Sequence, residues 1–218
     1  MQKAFIFDLD GVLINDELIW EQHKKRLYAE LIGNGIAKKL GSTLGVNIDT
    51  IYERAVGHGA TIPQQNFRDA FFNVAKTVYK EAPLTRNLAA LDEYLLANDY
   101  NVGIVSASPQ AWIDAVVKRL SFKSRFKIIL SLHEIQHLRH KPHPDGYVQA
   151  IKELSAAPST TVILEDSNSG IASAKAAGAF TIGFQENLVE GYKQSGADAY
   201  AKDVDDVVSL LQRFQPRG

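Results

Sequence analysis

From Leu88 onward, short apolar runs alternate with segments of helical period, and this alternation limits the possible folds more than any other feature of the chain. "YNVGIVSAS" is apolar and then polar, and too short for a helix. "PQAWIDAVVKRL" follows, opening on Pro109, a residue suited to a first helical turn. "FKIILS", "PDGYVQAIKELSA", "TTVILEDS", "NSGIASAKAAG", "AFTIGF" and "VDDVVSLLQRF" continue the pattern. Strands and helices in alternation predict an α/β fold, a parallel sheet with helices on both faces. An earlier strand is expected at Lys3 to Asp8. From about Asp16 to Lys80 the texture is helical. Leu18, Ile19, His23, Leu27, Leu31 and Ile32 fall near one face, and Phe67, Phe71, Val74 and Val78 repeat the spacing. The expected division is a core of residues 1–14 and 83–218 with an inserted all-helical domain at 15–82.

Composition removes several classes of function. The 24 basic and 25 acidic side chains leave a net charge of -1, so no global field for a polyanion exists and nucleic acid is not an expected partner. The absence of cysteine excludes disulfides, thiolate metal sites and a cysteine nucleophile. No run approaches the roughly 18 apolar residues of a membrane span, and "MQKAFIFDLDG" lacks the pattern of a signal peptide. A cytoplasmic protein without a membrane partner is the expectation. A monomer is expected, with a dimer left open.

In an open parallel sheet, ligands bind beyond the carboxyl ends of the strands. Three of the expected strands end there in polar groups: Asp8 and Asp10 after the first, Ser106 after "NVGIV", and Glu165 with Asp166 after "TTVIL". Lys141, in "RHKPHPDGY", lies in a loop before a helix. Each alone reads as a cap, a turn former or a solvated lysine; together they predict one site. Clustered carboxylates repel unless a cation sits among them. An all-oxygen donor set suits a hard ion, and Mg²⁺ binds few carboxylates together with a phosphate. The constellation therefore points to Mg²⁺, a phosphoryl group held by a lysine and a hydroxyl, and one carboxylate left to act. Ala107 and Ser108 precede a helix start where free N–H groups favour an anion. Asn168 and Ser169 read equally as caps or site residues.

"FDLDGVL", "VSAS", "HKPHPDGY" and "LEDSNSGIASAKAAG", in this order, resemble the four motifs of the haloacid dehalogenase (HAD) superfamily. The similarity is to its phosphatase and phosphomutase branch, beta-phosphoglucomutase-like and phosphoglycolate phosphatase-like, with a helical cap inserted after the first motif. The resemblance implies a Rossmann-like core and a Mg²⁺-dependent phosphatase of small phosphomonoesters. In that chemistry Asp8 attacks phosphorus to form an aspartyl phosphate, and Asp10 acts as general acid and then general base. Asp8, Asp10 (through its carbonyl), Glu165 and Asp166 are the implied metal ligands, Glu165 directly or through water. Ser106 and Lys141 are the implied phosphoryl holders, and Gly11 and Ala107 line the substrate.

In relatives the cap supplies substrate contacts, with hinges expected near 14–17 and 81–85. Trp20 stands where the resembling mutases carry a histidine, which favours hydrolysis over phosphate transfer within a sugar phosphate. The ring reads either as packing or as an apolar wall for the substrate. His58, in "AVGHGATIPQQN", is the other candidate cap contact. The alternatives are a sugar-phosphate mutase and a non-catalytic HAD-like binding module. The latter usually lacks a nucleophile or a metal ligand, and none is missing here.

Overall fold

The computed structural model describes residues 2–41, 43, 46 and 48–215, with the side chains of Glu17 and Leu18 outside the described set. Two compact units result. One joins the residues up to Asn15 with those from Pro83 onward, and the other is Asp16–Ala82.

The first unit holds the sheet. Its strands are β1 (Gln2–Phe7), β2 (Tyr100–Ser106), β3 (Phe126–Ser131), β4 (Ala156–Glu165), β5 (Phe180–Phe184) and β6 (Ala199–Ala201). They pair in parallel in the order β3-β2-β1-β4-β5-β6. Five helices flank them: α4 (Leu88–Ala97), α5 (Gln110–Val117), α6 (Asp145–Glu153), α7 (Asn168–Ala176) and α8 (Val204–Arg213). Strand β1 shows why its sequence is a continuous apolar run. Ala4, Phe5, Ile6 and Phe7 are all inaccessible, as befits a strand covered on both faces. Successive side chains point to opposite faces. Ala4 and Ile6 pack with Tyr147 and Ile151 of α6 and Ala174 of α7. Phe7 meets Phe122 and Phe126, with ring centroids 6.5 and 6.1 Å away.

The strand order reverses between β1 and β4, which are neighbours although α4, β2, α5, β3 and α6 of the α/β unit separate them in the chain. Such a switch point opens a crevice at the carboxyl ends, and Asp8 and Glu165 stand on its two sides. The segments leading out of and back into this unit are tied together by an antiparallel bridge between Ile14 and Leu84. Asn15 N–H donates to Pro83 O (2.9 Å) and Thr85 N–H to Leu13 O (3.1 Å).

The second unit consists of α1 (Glu17–Lys39), broken at Gly33, α2 (Ile48–Gly57) and α3 (Gln64–Glu81). Its core follows the helical spacing: Leu27, Ile32, Phe67 and Val78 are buried, and Leu31, Phe71 and Val74 pack partly against them. Phe67 stacks on Tyr28 at 6.2 Å and meets Tyr52 at 5.6 Å. Strand β6 was not expected, because three residues cannot display a period of two. No helix among the described residues is long and apolar enough to cross a membrane.

Trp20 and Trp112 report separately on the two units. In a Trp112→Phe background, Phe67→Ala is expected to weaken the unfolding transition followed by Trp20 fluorescence in urea by about 3–5 kcal/mol, the usual cost of deleting a buried phenyl ring. An unchanged midpoint would show that Phe67 does not carry this core.

Candidate functional site

Strand β1 continues one residue past its end. The N–H of Asp8 donates to Leu164 O of β4 (3.0 Å), which holds the Asp8 carboxylate at the switch point, 6% exposed. The chain then folds back, and the carbonyl of Leu9 accepts from Val12 (3.3 Å), Leu13 (2.8 Å) and Ile14 (3.4 Å). Gly11, with φ 69°, makes this turn possible. A side chain there would also collide with the carboxylate of Asp166, so glycine is what lets that acid approach the turn. Asn187 and Thr85 secure the same stretch. Asn187 Nδ2 donates to Gly11 O (3.1 Å) and Thr85 Oγ1 (2.7 Å), and Thr85 Oγ1 donates to Val12 O (2.6 Å).

Lys141 reaches in from the loop before α6 and spends its donors on three acceptors: Asp8 Oδ1 (2.7 Å), Glu165 Oε1 (2.6 Å) and Val105 O (3.3 Å). An ammonium has three N–H groups, so all are engaged. Glu165 is equally saturated. Its Oε1 accepts from Lys141 and from Tyr147 Oη (2.6 Å), and its Oε2 from Ser167 N (3.3 Å) and Ser167 Oγ (3.2 Å). Those four donors match the roughly four lone-pair sites of a carboxylate. Gly170 sits directly above it, where any side chain would strike the Glu165 carboxylate.

The electrostatics follow from burial. Removal from water pushes the Asp8 carboxyl up to about 8; the Lys141 charge opposes this, while Glu165 and Asp10 add to it. Burial, followed by the charges of Asp8 and Glu165, also raises Asp166 well above the usual carboxylate range. For Lys141 burial disfavours the ammonium, but Asp8 and Glu165 overcome it and hold the lysine well above its ordinary value. Oxygen atoms of Asp8, Glu165 and Asp166 lie within 4.8 Å of one another. All-oxygen donors at that spacing fit a hard divalent cation, and the bare Cα of Gly11 leaves Asp166 room to take part. Glu165 belongs to the group by distance. Its four protein donors leave Asp8 and Asp166 as the carboxylates able to bind directly.

The remaining candidates divide between the two units. Ser106 is inaccessible at the end of β2, with Ala107 exposed beside it. The N–H of Ser108 donates to Ser106 Oγ (3.0 Å), so it is not the free anion donor the sequence led us to expect. The side chain of Ser108 instead donates to Asp10 Oδ2 (2.7 Å). Trp20 is 6% exposed inside the helical unit, stacked on Phe71 at 4.9 Å and edge-on to Tyr79 at 6.4 Å. His58 is exposed in the turn after α2. Ser167 caps α7 by accepting from Gly170 N (3.0 Å). The neighbouring Asn168 holds the loop before β6 instead, donating to Lys193 O (2.9 Å) and accepting from Ser195 N (2.8 Å). Sequence reasoning missed Tyr147, the Ser108 hydroxyl, Ser167, Asn187 and Gln194. Gln194 Nε2 donates to Asp166 O (2.6 Å). Position offered one signal for Asn187 and Gln194: both follow the carboxyl end of β5.

With this geometry established, comparison with known proteins gives a consistent answer. The family described as haloacid dehalogenase-like hydrolase matches residues 5–184. Hexitol phosphatase B of Escherichia coli (strain K12) is 29% identical over 80% of this chain and 79% of its own. A phosphorylated carbohydrates phosphatase of Thermotoga maritima is 26% identical over 96% of this chain and 98% of its own. Among solved structures, that of a predicted phosphoglycolate phosphatase from Haemophilus somnus 129pt superposes with a TM-score of 0.81. That match has 19% identity and covers 97% of this chain and 98% of that one.

Asp8 titrates near 8 in the folded chain against an ordinary 3.8. Between those values the folded state binds more protons than the unfolded one, so this group's contribution to stability falls as pH rises across the window. Asp8→Asn has no proton to lose and escapes the penalty. In chelator-treated protein, the Tm of Asp8→Asn relative to wild type is expected to climb from pH 5 to pH 9 by differential scanning fluorimetry. A constant difference would mean that Asp8 ionises normally.

Proposed function

The chain belongs to the haloacid dehalogenase-like hydrolases, and from that premise we propose that it is a Mg²⁺-dependent phosphatase of small phosphomonoesters, sugar phosphates or similar metabolites. The observation that carries this reading is the buried Asp8 carboxylate held by Lys141 at 2.7 Å, with Asp10 two residues on and Asp166 across the switch point. The names of the relatives, phosphatases of hexitol phosphates and phosphorylated carbohydrates, support the substrate class.

An oxygen of Asp8 attacks phosphorus, and the bond from phosphorus to the ester oxygen breaks. Asp10 gives its proton to that oxygen, so the alcohol leaves neutral. Asp10 then takes a proton from water as the water oxygen attacks phosphorus, releasing inorganic phosphate and the free Asp8 carboxylate. Lys141 opposes the effect of burial on Asp8, favouring its ionised form, and places positive charge beside the phosphoryl oxygens. Ser106, whose oxygen accepts from Ser108 N, keeps its O–H hydrogen to donate to one of them.

Asp8, Asp166 and the carbonyl of Asp10 would hold Mg²⁺, with Glu165 acting through water and through Lys141. When bound, the ion neutralises charge on the nucleophile and on the phosphoryl group. Residues 15–82 act as the cap that excludes water and selects the alcohol. His58, exposed and able to donate or accept, is the candidate contact there. Trp20 is packed among rings and carries no group that exchanges protons, which favours hydrolysis over the mutase alternative.

The test is phosphate release from a panel of sugar phosphates, with Mg²⁺ or with chelator. Turnover should require Mg²⁺ and fall at least about a thousandfold in Asp8→Asn, the scale on which removal of a catalytic nucleophile acts. Activity that survives that substitution would refute the aspartyl-phosphate route. Silence in hydrolysis together with isomerisation under a bisphosphate primer would establish the mutase.

A further inference from the structure

Three serines converge behind Asp10. Ser106 ends β2 and Ser131 ends β3, and the two are register partners in the sheet. Ser108 lies in the turn just beyond, between β2 and α5, and is 7% exposed. Both polar groups of its backbone are engaged by those strand ends. Its N–H donates to Ser106 Oγ (3.0 Å) and its carbonyl accepts from Ser131 Oγ (2.7 Å). The backbone of Ser108 is thus clamped from two sides, and its hydroxyl is aimed at Asp10 Oδ2, 2.7 Å away.

We propose that Ser108 is the positioning residue of Asp10, holding the carboxyl group in the orientation from which it exchanges protons with the ester oxygen and with water. This inference rests on the acid–base role proposed above for Asp10. A proton donor must lie within hydrogen-bond reach of the oxygen it serves, and a displacement of about 1 Å is enough to cost about a hundredfold in rate. Asp10 lies within the turn that Leu9 opens, past the end of β1 and bridged through its backbone to Ile14, so the sheet ladder does not orient its side chain. A hydroxyl is suited to the task because it donates to Oδ2 whether Asp10 is a carboxylate or an acid protonated on Oδ1, which leaves the Oδ1 proton for the ester oxygen. The same contact therefore survives both halves of the cycle.

The prediction separates two esters. A sugar phosphate expels an alkoxide that needs a proton, whereas p-nitrophenyl phosphate expels a stable phenolate that does not. The quantity to compare is kcat/KM, because it reports transfer of the phosphoryl group to Asp8 and is blind to the later water step. Ser108→Ala is expected to lower kcat/KM for the sugar phosphate by about 10–100-fold, the lower part of the range for general acid catalysis. For p-nitrophenyl phosphate the loss should stay within about threefold, on the same reasoning. Ser108→Thr should restore most of the difference, and Ser131→Ala should reproduce it in weaker form. A loss equal for both esters, or none, overturns the proposal.

Asp10→Asn controls for the underlying reading. If it shows no dependence on the leaving group, the acid–base role of Asp10 fails. Crystal structures of wild type and Ser108→Ala decide the positioning role whatever the activities. The Asp10 carboxyl should turn away from its wild-type pose in the variant, and an unchanged pose overturns the proposal.

Discussion

Everything at the centre of the α/β unit depends on one buried ammonium. Lys141 lies among Asp8, Glu165 and Asp166, in contact with the first two. At 2.7 Å and an effective dielectric of about 20, the attraction to Asp8 is about 6 kcal/mol, comparable with the desolvation cost of bringing the two ions out of water. Burial, and then carboxylate neighbours that one lysine cannot offset, push Asp8 and Asp166 towards protonation, while Lys141 is held firmly charged. Stored repulsion of this kind is poor for stability and useful for chemistry. It prepares the cluster to receive positive charge, and it leaves the ionisation of Asp8 responsive to its surroundings.

Topology explains how such a cluster can exist in an otherwise apolar interior. Reversal of strand order between β1 and β4 brings two carboxyl ends side by side where no helix crosses between them. Acids can collect there while the strand bodies stay apolar, as the inaccessible Ala4–Phe7 run and the Val162–Leu164 run show. Glycines complete the arrangement by omission. Gly11 yields space to Asp166 and Gly170 to Glu165, so the two glycines of the first and last motifs lie over the two neighbouring acids.

Much of this was legible in the sequence, for physical reasons. Buried parallel strands must be continuous apolar runs, so β1, β2, β4 and β5 could be read directly, and polar residues at their ends marked the site. What was not legible depends on contacts between distant elements. Nothing in the spacing says that Tyr147, on α6, lies 2.6 Å from Glu165. Nor does it show that Ser131 fixes the Ser108 carbonyl in the turn beyond the neighbouring strand. Local chemistry also misled: Asn168 and Ser169 read as possible caps, and the structure uses Ser167, just before them, as the cap. Trp20 illustrates the converse. Its sequence position invited a role at the substrate, while the rings of Phe71 and Tyr79 account for its burial.

Adjacent acids at the end of β4 take different parts because the strand is pleated. Successive side chains face opposite ways, so Glu165 points inward, where Lys141, Tyr147 and Ser167 saturate it, and Asp166 points to the turn at Gly11. The longer side chain belongs on the inward side, since it must span to a lysine arriving from the loop before α6 while leaving Oε2 beneath the start of α7. The shorter one belongs beside Asp8, where fewer rotatable bonds keep its oxygens close to those of that residue. Glu165 and Asp166 are therefore not duplicates. One carboxylate fixes the lysine, and the other keeps its oxygens beside those of Asp8.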